Sequence, residues 1–86
     1  MLYFTYIIES SKSGKWYYGH TDNTERRLWE HNSGQNISTR NKGPWKMIFL
    51  WSFETELEAI RFELKLKKLK NKEYIKKKYP EFFLKN

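Results

Sequence analysis

A few side chains in this sequence have types and spacings that could act on a negatively charged substrate. Arg27 and His31 are four residues apart, which on a helix places them one turn apart on one face. Tyr6 falls in an aromatic, β-branched run and Tyr17 in a short aromatic one, which read as adjacent strands, so either phenol could point into a shared groove. Gly19 stands near the end of the second run; a strand interior prefers a side chain, and glycine there signals close backbone approach or a bend. Glu63 lies among Arg61, Lys65 and Lys67, near the edge of an apolar stripe marked by Ala59 and Leu66. Two readings of Glu63 stand side by side. One is an ordinary i,i+4 ion pair with Lys67, worth ~0.3–0.5 kcal/mol. The other is a metal ligand facing the sheet, since a hard divalent cation takes oxygen ligands and keeps most of its waters. The tyrosines, too, are ordinary strand residues when taken singly. His20 and His31, eleven apart on different elements, are each more often surface or satisfied core groups than ligands. Together, however, the set places phenols, a guanidinium, an imidazole and a carboxylate around one surface.

Many other chemistries are excluded. The chain has no cysteine, so neither a disulfide nor a thiolate zinc site is available. It contains no His-Cys or His-x-x-x-His metal pair, no phosphate-binding glycine loop and no paired carboxylates placed for acid–base work. With 86 residues it has room for one small domain, spanning 1–86. Four Trp, six Tyr and six Phe, 19% of the chain, supply large side chains for one core. The apolar runs are only a few residues long and no secretory leader is evident, so a membrane location is not expected. A reducing, cytoplasmic setting fits a chain without cysteine.

The charge is uneven. Residues 1–60 carry seven basic and seven acidic side chains, whereas residues 61–86 carry ten basic and three acidic ones and so supply the whole net charge of +7. Such a block reads as a surface for a polyanion, nucleic acid before membrane, or as a solvated lysine-rich helical end. Lys65, Lys68, Lys70 and Lys72 are its candidate phosphate contacts. Arg40 and Lys42 are two more, in the polar, aperiodic stretch 35–44, which reads as an exposed loop.

The elements that must position these groups follow from pattern. Residues 2–9 read as a strand that is apolar on both faces, hence central and covered by helices. Residues 10–14 form a turn and 15–20 a second strand, completing a hairpin. Asp22 or Asn23 caps a helix, Asp22 with Glu25 having the reciprocal spacing; it runs to about Asn32 and stops at Ser33-Gly34. Leu28 should face the core, with Trp29 nearby. Residues 45–53 are the third strand. Thr55 and Glu58 form a capping box for a longer helix on which Ala59, Phe62, Leu66 and Leu69 recur at helical spacing, widened by Leu57, Ile60 and Leu64. Asn71 starts a last short helix through Tyr79, Pro80 ends it, and Phe82 and Phe83 tuck back onto the body. The order is β-β-α-β-α-α, an α+β arrangement of a small three-stranded antiparallel sheet flanked by helices.

Five segments, in order, resemble the GIY-YIG nuclease family: Thr5-Tyr6-Ile7, Trp16-Tyr17-Tyr18-Gly19-His20-Thr21, the run from Glu25 to Gly34, Pro44-Trp45-Lys46-Met47-Ile48, and Glu58 to Lys65. The likeness is to small stand-alone members related to the nuclease domain at the start of the UvrC repair protein, and it spans about residues 3–79. It implies an endonuclease that hydrolyses DNA phosphodiester bonds with one divalent cation, Mg²⁺ or Mn²⁺, in a DNA-repair type of chemistry. On this resemblance Tyr6 takes the tyrosine of the first motif, and Tyr17 and Gly19 the tyrosine and glycine of the second. Arg27 takes the catalytic arginine, His31 the histidine one turn later, and Glu63 the metal-binding glutamate. Asn71 is the nearest candidate for the family's later asparagine. The first motif lacks its glycine, and Tyr18 stands where an aliphatic is usual. Without an added DNA-binding domain, grip would come from backbone phosphates and specificity from the domain surface or a protein partner, the chain acting as a monomer or weak dimer. The competing expectation is a non-cleaving nucleic-acid-binding module of the same fold that needs a partner.

Overall fold

The computed structural model describes residues 1–85. In chain order the elements are β1 (Tyr3–Ser10), β2 (Trp16–Thr21), α1 (Thr24–Asn32), β3 (Trp45–Phe53), α2 (Glu56–Leu69) and α3 (Lys72–Lys78), followed by a 3-10 turn at Pro80–Phe82. The expected order of strands and helices is the observed one. The sheet runs β2-β1-β3, antiparallel throughout, so the strand that is apolar on both faces is indeed the central one.

Alternation along β1 sends its side chains to two different layers. Ile7 joins Phe49, Phe62, Leu66, Ile75 and Tyr79 in a core beneath α2 and α3. Tyr6 and Ile8 point the other way and pack with Trp45, Tyr17 and Leu28, beneath α1. The chain end closes the first layer: Phe82 stacks on Trp51 with ring centroids 3.9 Å apart, and Phe83 bridges Phe49. The aromatic tail tucks back as its composition suggests.

Caps set the helix starts. The Asn23 side chain accepts the Arg26 N–H, whereas Asp22 instead pairs with the Arg26 guanidinium, so the Asp22–Glu25 box does not form. The Thr55–Glu58 box does form, and Asn71 caps α3 by accepting the Tyr74 N–H. Three expectations need correcting. Trp29 is 60% exposed, because one turn of α1 can bring only the Leu28 side onto the sheet. Leu57 and Leu64 are more than half exposed; α2 rests on the sheet along Ala59, Phe62, Glu63 and Leu66, and the opposite side of the helix meets solvent. The stretch 35–44 is not wholly exposed either, since Thr39 is buried.

One contact fixes how α2 lies on the sheet. The buried Thr5 hydroxyl donates to the Ala59 carbonyl at 2.7 Å, and Ala59, without a long side chain, lets the helix backbone approach that closely. Glu63 is one turn further along the same side of the helix. The anchor therefore delivers Glu63 to the edge of the sheet.

Candidate active site

The site wraps the edge strand β2. A cleft of about 100 Å³ is lined by Tyr6, Tyr17, Tyr18, Gly19, His20, Arg27 and Glu63. Residues 17–20 alternate across the strand, so Tyr17 and Gly19 face the α1 layer while Tyr18 and His20 face α2. The cleft thus gathers groups from both layers.

Gly19 is what makes room on the α1 side. It lies directly opposite Tyr6 in the β1–β2 register. A side chain there would drive its Cβ into the phenol oxygen and ring end of Tyr6. Lacking one, the Tyr6 ring leans over the strand, fully buried, with its hydroxyl at the cleft.

Two groups meet at that hydroxyl. His31 Nε2 lies 2.7 Å away, and Arg27 Nε donates to the phenol oxygen at 3.3 Å. The Arg27 guanidinium also reaches Glu30 at 3.0 Å. Burial pushes the Tyr6 phenol up to about 12, with the Arg27 contact opposing part of that rise. Burial lowers His31 to about 4, and the positive charge of Arg27 acts in the same direction. Burial also works against the Arg27 charge, but its contacts with Tyr6 and Glu30 outweigh this and hold it above its usual value. At neutral pH the cluster is a neutral phenol, a neutral imidazole and a charged guanidinium.

The ring of His31 is held from its other side by a residue that sequence reasoning passed over. Thr39 Oγ1 lies 2.8 Å from His31 Nδ1, and the Thr39 carbonyl accepts the Trp45 indole N–H at 3.1 Å. Asn32 ties the loop ends together, its amide accepting from the Trp45 N–H at 2.6 Å and donating to the Trp45 carbonyl at 3.0 Å. Ser10 Oγ donates to the Lys42 carbonyl, pinning the same loop to the hairpin turn. Tyr17 packs edge-on against His31, centroids 5.1 Å apart.

Glu63 enters from the α2 side and is only 9% exposed. One oxygen is 2.6 Å from His20 Nδ1 and the other 2.6 Å from Lys67 Nζ. The i,i+4 pair with Lys67 is therefore real, yet it occupies one oxygen of a carboxylate that faces the cleft. The sequence reading sets His20 aside as a surface or satisfied core histidine, whereas the structure brings it to Glu63. Strand alternation alone places it on the same face as Tyr18, toward α2, and that was the available signal.

The basic residues scatter around this centre. Lys65 and Lys68 line a separate hollow of about 380 Å³ with Arg61 and Leu64, on the solvent side of α2. Lys70 ends α2 in a left-handed conformation at φ 51°. Lys72 donates to the Gly14 carbonyl at 2.6 Å and lies 5.1 Å over the Trp16 ring, bracing α3 to the hairpin. Arg40 donates to the Gly34 carbonyl, and Lys42 borders a hollow shared with Lys12, Lys15 and Trp45. None of the six lines the cleft, and Asn71, engaged as a cap, does not line it either.

A Tyr-Gly pair on an edge strand, an Arg and a His one turn apart on the next helix and a Glu from the following one are thus gathered around one cleft. Residues 2–79 match the GIY-YIG catalytic domain, and the chain belongs to that family. It is 39% identical over 70 residues to the UPF0213 protein BH0048 of Halalkalibacterium halodurans, covering 80% of this chain and 73% of that one. The solution NMR structure of BH0048 superposes with a TM-score of 0.52 at 35% identity, covering 86% of this chain and 79% of that one. The chain is also 34% identical over 67 residues to the human structure-specific endonuclease subunit SLX1, covering 72% of this chain but only 24% of that protein.

Proposed function

We propose that this chain is a divalent-metal-dependent endonuclease that hydrolyses DNA phosphodiester bonds, with Tyr6, Tyr17, Arg27, His31 and Glu63 at its catalytic centre. One observation carries the reading: Tyr6, Arg27 and Glu63, drawn from three different elements, converge on one small cleft, with His31 bonded to the Tyr6 hydroxyl. The chemistry of the donors fits a hard cation. Glu63 presents a carboxylate to the cleft, and Lys67, which holds one of its oxygens, is half exposed. Glu63 would hold Mg²⁺ or Mn²⁺, which supplies Lewis-acid polarisation of a phosphoryl oxygen and neutralises charge on the departing one.

The remaining work belongs to the chain itself. Arg27 turns N–H groups toward a bound phosphate and stabilises its developing charge, oriented beforehand by Tyr6 and Glu30. The Tyr6 phenol is a weak base on its own. Bonded to His31, it passes its proton to Nε2 as it takes one from the attacking water. Burial is the main cause of the low His31 value, and the Arg27 charge adds to it; a phosphate anion at Arg27 offsets that second contribution and makes the imidazole a better proton acceptor. Tyr17 walls the cleft and holds the His31 ring in place.

Arg40, Lys42, Lys65, Lys68, Lys70 and Lys72 supply backbone-phosphate contacts away from the reacting bond, giving grip without sequence choice. Target choice would then fall to a protein partner, in line with the description of SLX1 as an endonuclease subunit. A reducing cytoplasmic setting and a role akin to UvrC in DNA repair belong to the same reading. The occupied oxygens of Glu63 favour one competing reading, a nucleic-acid-binding module that keeps the fold and does not cleave. A supercoiled-plasmid nicking assay in Mg²⁺, Mn²⁺ or EDTA separates them. Metal-dependent nicking supports the nuclease; salt-sensitive binding without nicking supports the binder.

A further inference from the structure

We propose that His20 is a second protein ligand, through Nδ1, for the cation held by Glu63, and that the site consequently takes Mn²⁺ in preference to Mg²⁺. The inference rests on the metal-dependent reading above and adds to it the identity of the favoured ion.

The geometry is in place. His20 Nδ1 points at Glu63 Oε1 from 2.6 Å, across the gap between β2 and α2. Neighbouring ligands of an octahedral ion with ~2.1 Å bonds lie about 3 Å apart, so the pair needs to open by only a few tenths of an ångström. The ring has that freedom, being about one-third exposed on the edge strand, where it lines the same cleft. Among the described residues no third His, Cys, Asp or Glu joins the cluster. The remaining positions would go to water and substrate phosphate.

Chemistry then decides the preference. A lone carboxylate with waters suits Mg²⁺, which is hard and resists losing its hydration shell. An imidazole nitrogen is softer and raises affinity for first-row transition ions far more than for Mg²⁺. If His20 merely oriented Glu63 by a hydrogen bond, its removal would weaken both ions alike.

Mn²⁺ binding followed by electron paramagnetic resonance tests this without using activity, with Mg²⁺ affinity obtained by competition. Bound Mn²⁺ in the native protein is expected to show coupling to an imidazole nitrogen in pulsed spectra. His20→Ala should lose that coupling and bind Mn²⁺ about tenfold more weakly. Its Mg²⁺ affinity should change by less than about twofold on the same reasoning. Thermal unfolding checks that the variant is folded. Bound Mn²⁺ without nitrogen coupling, or coupling that persists in His20→Ala, overturns the assignment of His20. Glu63→Gln reports separately on the underlying reading: Mn²⁺ binding that survives this change places the ion elsewhere and removes both.

Discussion

The phenol oxygen of Tyr6 and Nε2 of His31 lie 2.7 Å apart, joining the central strand to a helix 25 residues further along the chain. The direction of that bond follows from its neighbours. Arg27 Nε–H donates to the phenol oxygen, and the order that also gives the one phenol proton an acceptor sends it to a bare His31 Nε2. The remaining ring proton then sits on Nδ1 and is donated to the Thr39 hydroxyl. Four residues thus share one consistent proton order, and each has its partner.

Stability should depend on pH through His31. Its folded value, about 4, lies below the usual 6.5, so the unfolded chain binds the proton more readily in that window. Stability is therefore full above pH 6.5 and declines as pH falls toward 4, by on the order of 2–3 kcal/mol. Urea unfolding at pH 7, 5.5 and 4.5 should show this decline in the native chain and a shallower one in His31→Gln. The slope is the readout, since the variant also starts from lower stability; equal slopes would contradict the assignment.

Thr39 should set the tautomer of His31. Thr39→Val keeps the shape and strands the Nδ1–H, at a cost of about 1–3 kcal/mol if the ring keeps its present order. Nitrogen NMR should find His31 protonated at Nδ1 in the native chain and a mixed population in Thr39→Val. Under the proposed mechanism kcat should fall by about tenfold with little change in KM, and Thr39→Ser should restore both tautomer and rate. An unchanged tautomer in Thr39→Val would show the hydroxyl to be incidental.

Gly19→Ala should disturb Tyr6 more than the strand. The added methyl meets the end of a buried ring that packing prevents from retreating. A loss of about 1–3 kcal/mol by denaturant unfolding is expected for this overpacking. Nuclease activity should fall further than stability alone explains, since the Tyr6 hydroxyl is displaced from His31 and Arg27. Full activity at reduced stability would remove Tyr6 from the chemistry.

Much of this arrangement was legible in the sequence. Period-two and helical patterns gave the element order, the central strand and the capping box, because each depends on local residues. Tyr6, Gly19, Arg27 and Glu63 were singled out by type and spacing and come together at one cleft. The roles of His20 and Thr39 were not. His20 acts through a partner 43 residues away, and no local periodicity encodes that distance. Thr39 is concealed in an aperiodic polar loop whose order comes from Asn32 and Ser10. The outward turn of Leu57 and Leu64 was hidden likewise, since Thr5 fixes the rotation of α2.

The outer lysines should contribute grip rather than rate. Replacing Lys65, Lys68 and Lys70 with Gln should reduce the slope of log affinity against log salt by about 2–3 if each meets a phosphate. Single-turnover cleavage at saturating DNA should stay near the native value. An unchanged slope would mean that DNA does not touch this side of the molecule. Lys72 is best left in place in this test, because it also braces α3 against Trp16.

The most direct measurement is plasmid nicking by Glu63→Gln beside the native chain, in Mg²⁺ or Mn²⁺, with DNA affinity read in parallel. Glu63 is the carboxylate of the cleft, and its amide keeps the size while losing the charge. The expected result is native nicking that EDTA abolishes, no nicking above background by the variant, and DNA affinity within about twofold of native, since Glu63 is not among the phosphate contacts. Cleavage by Glu63→Gln at the native rate would contradict it.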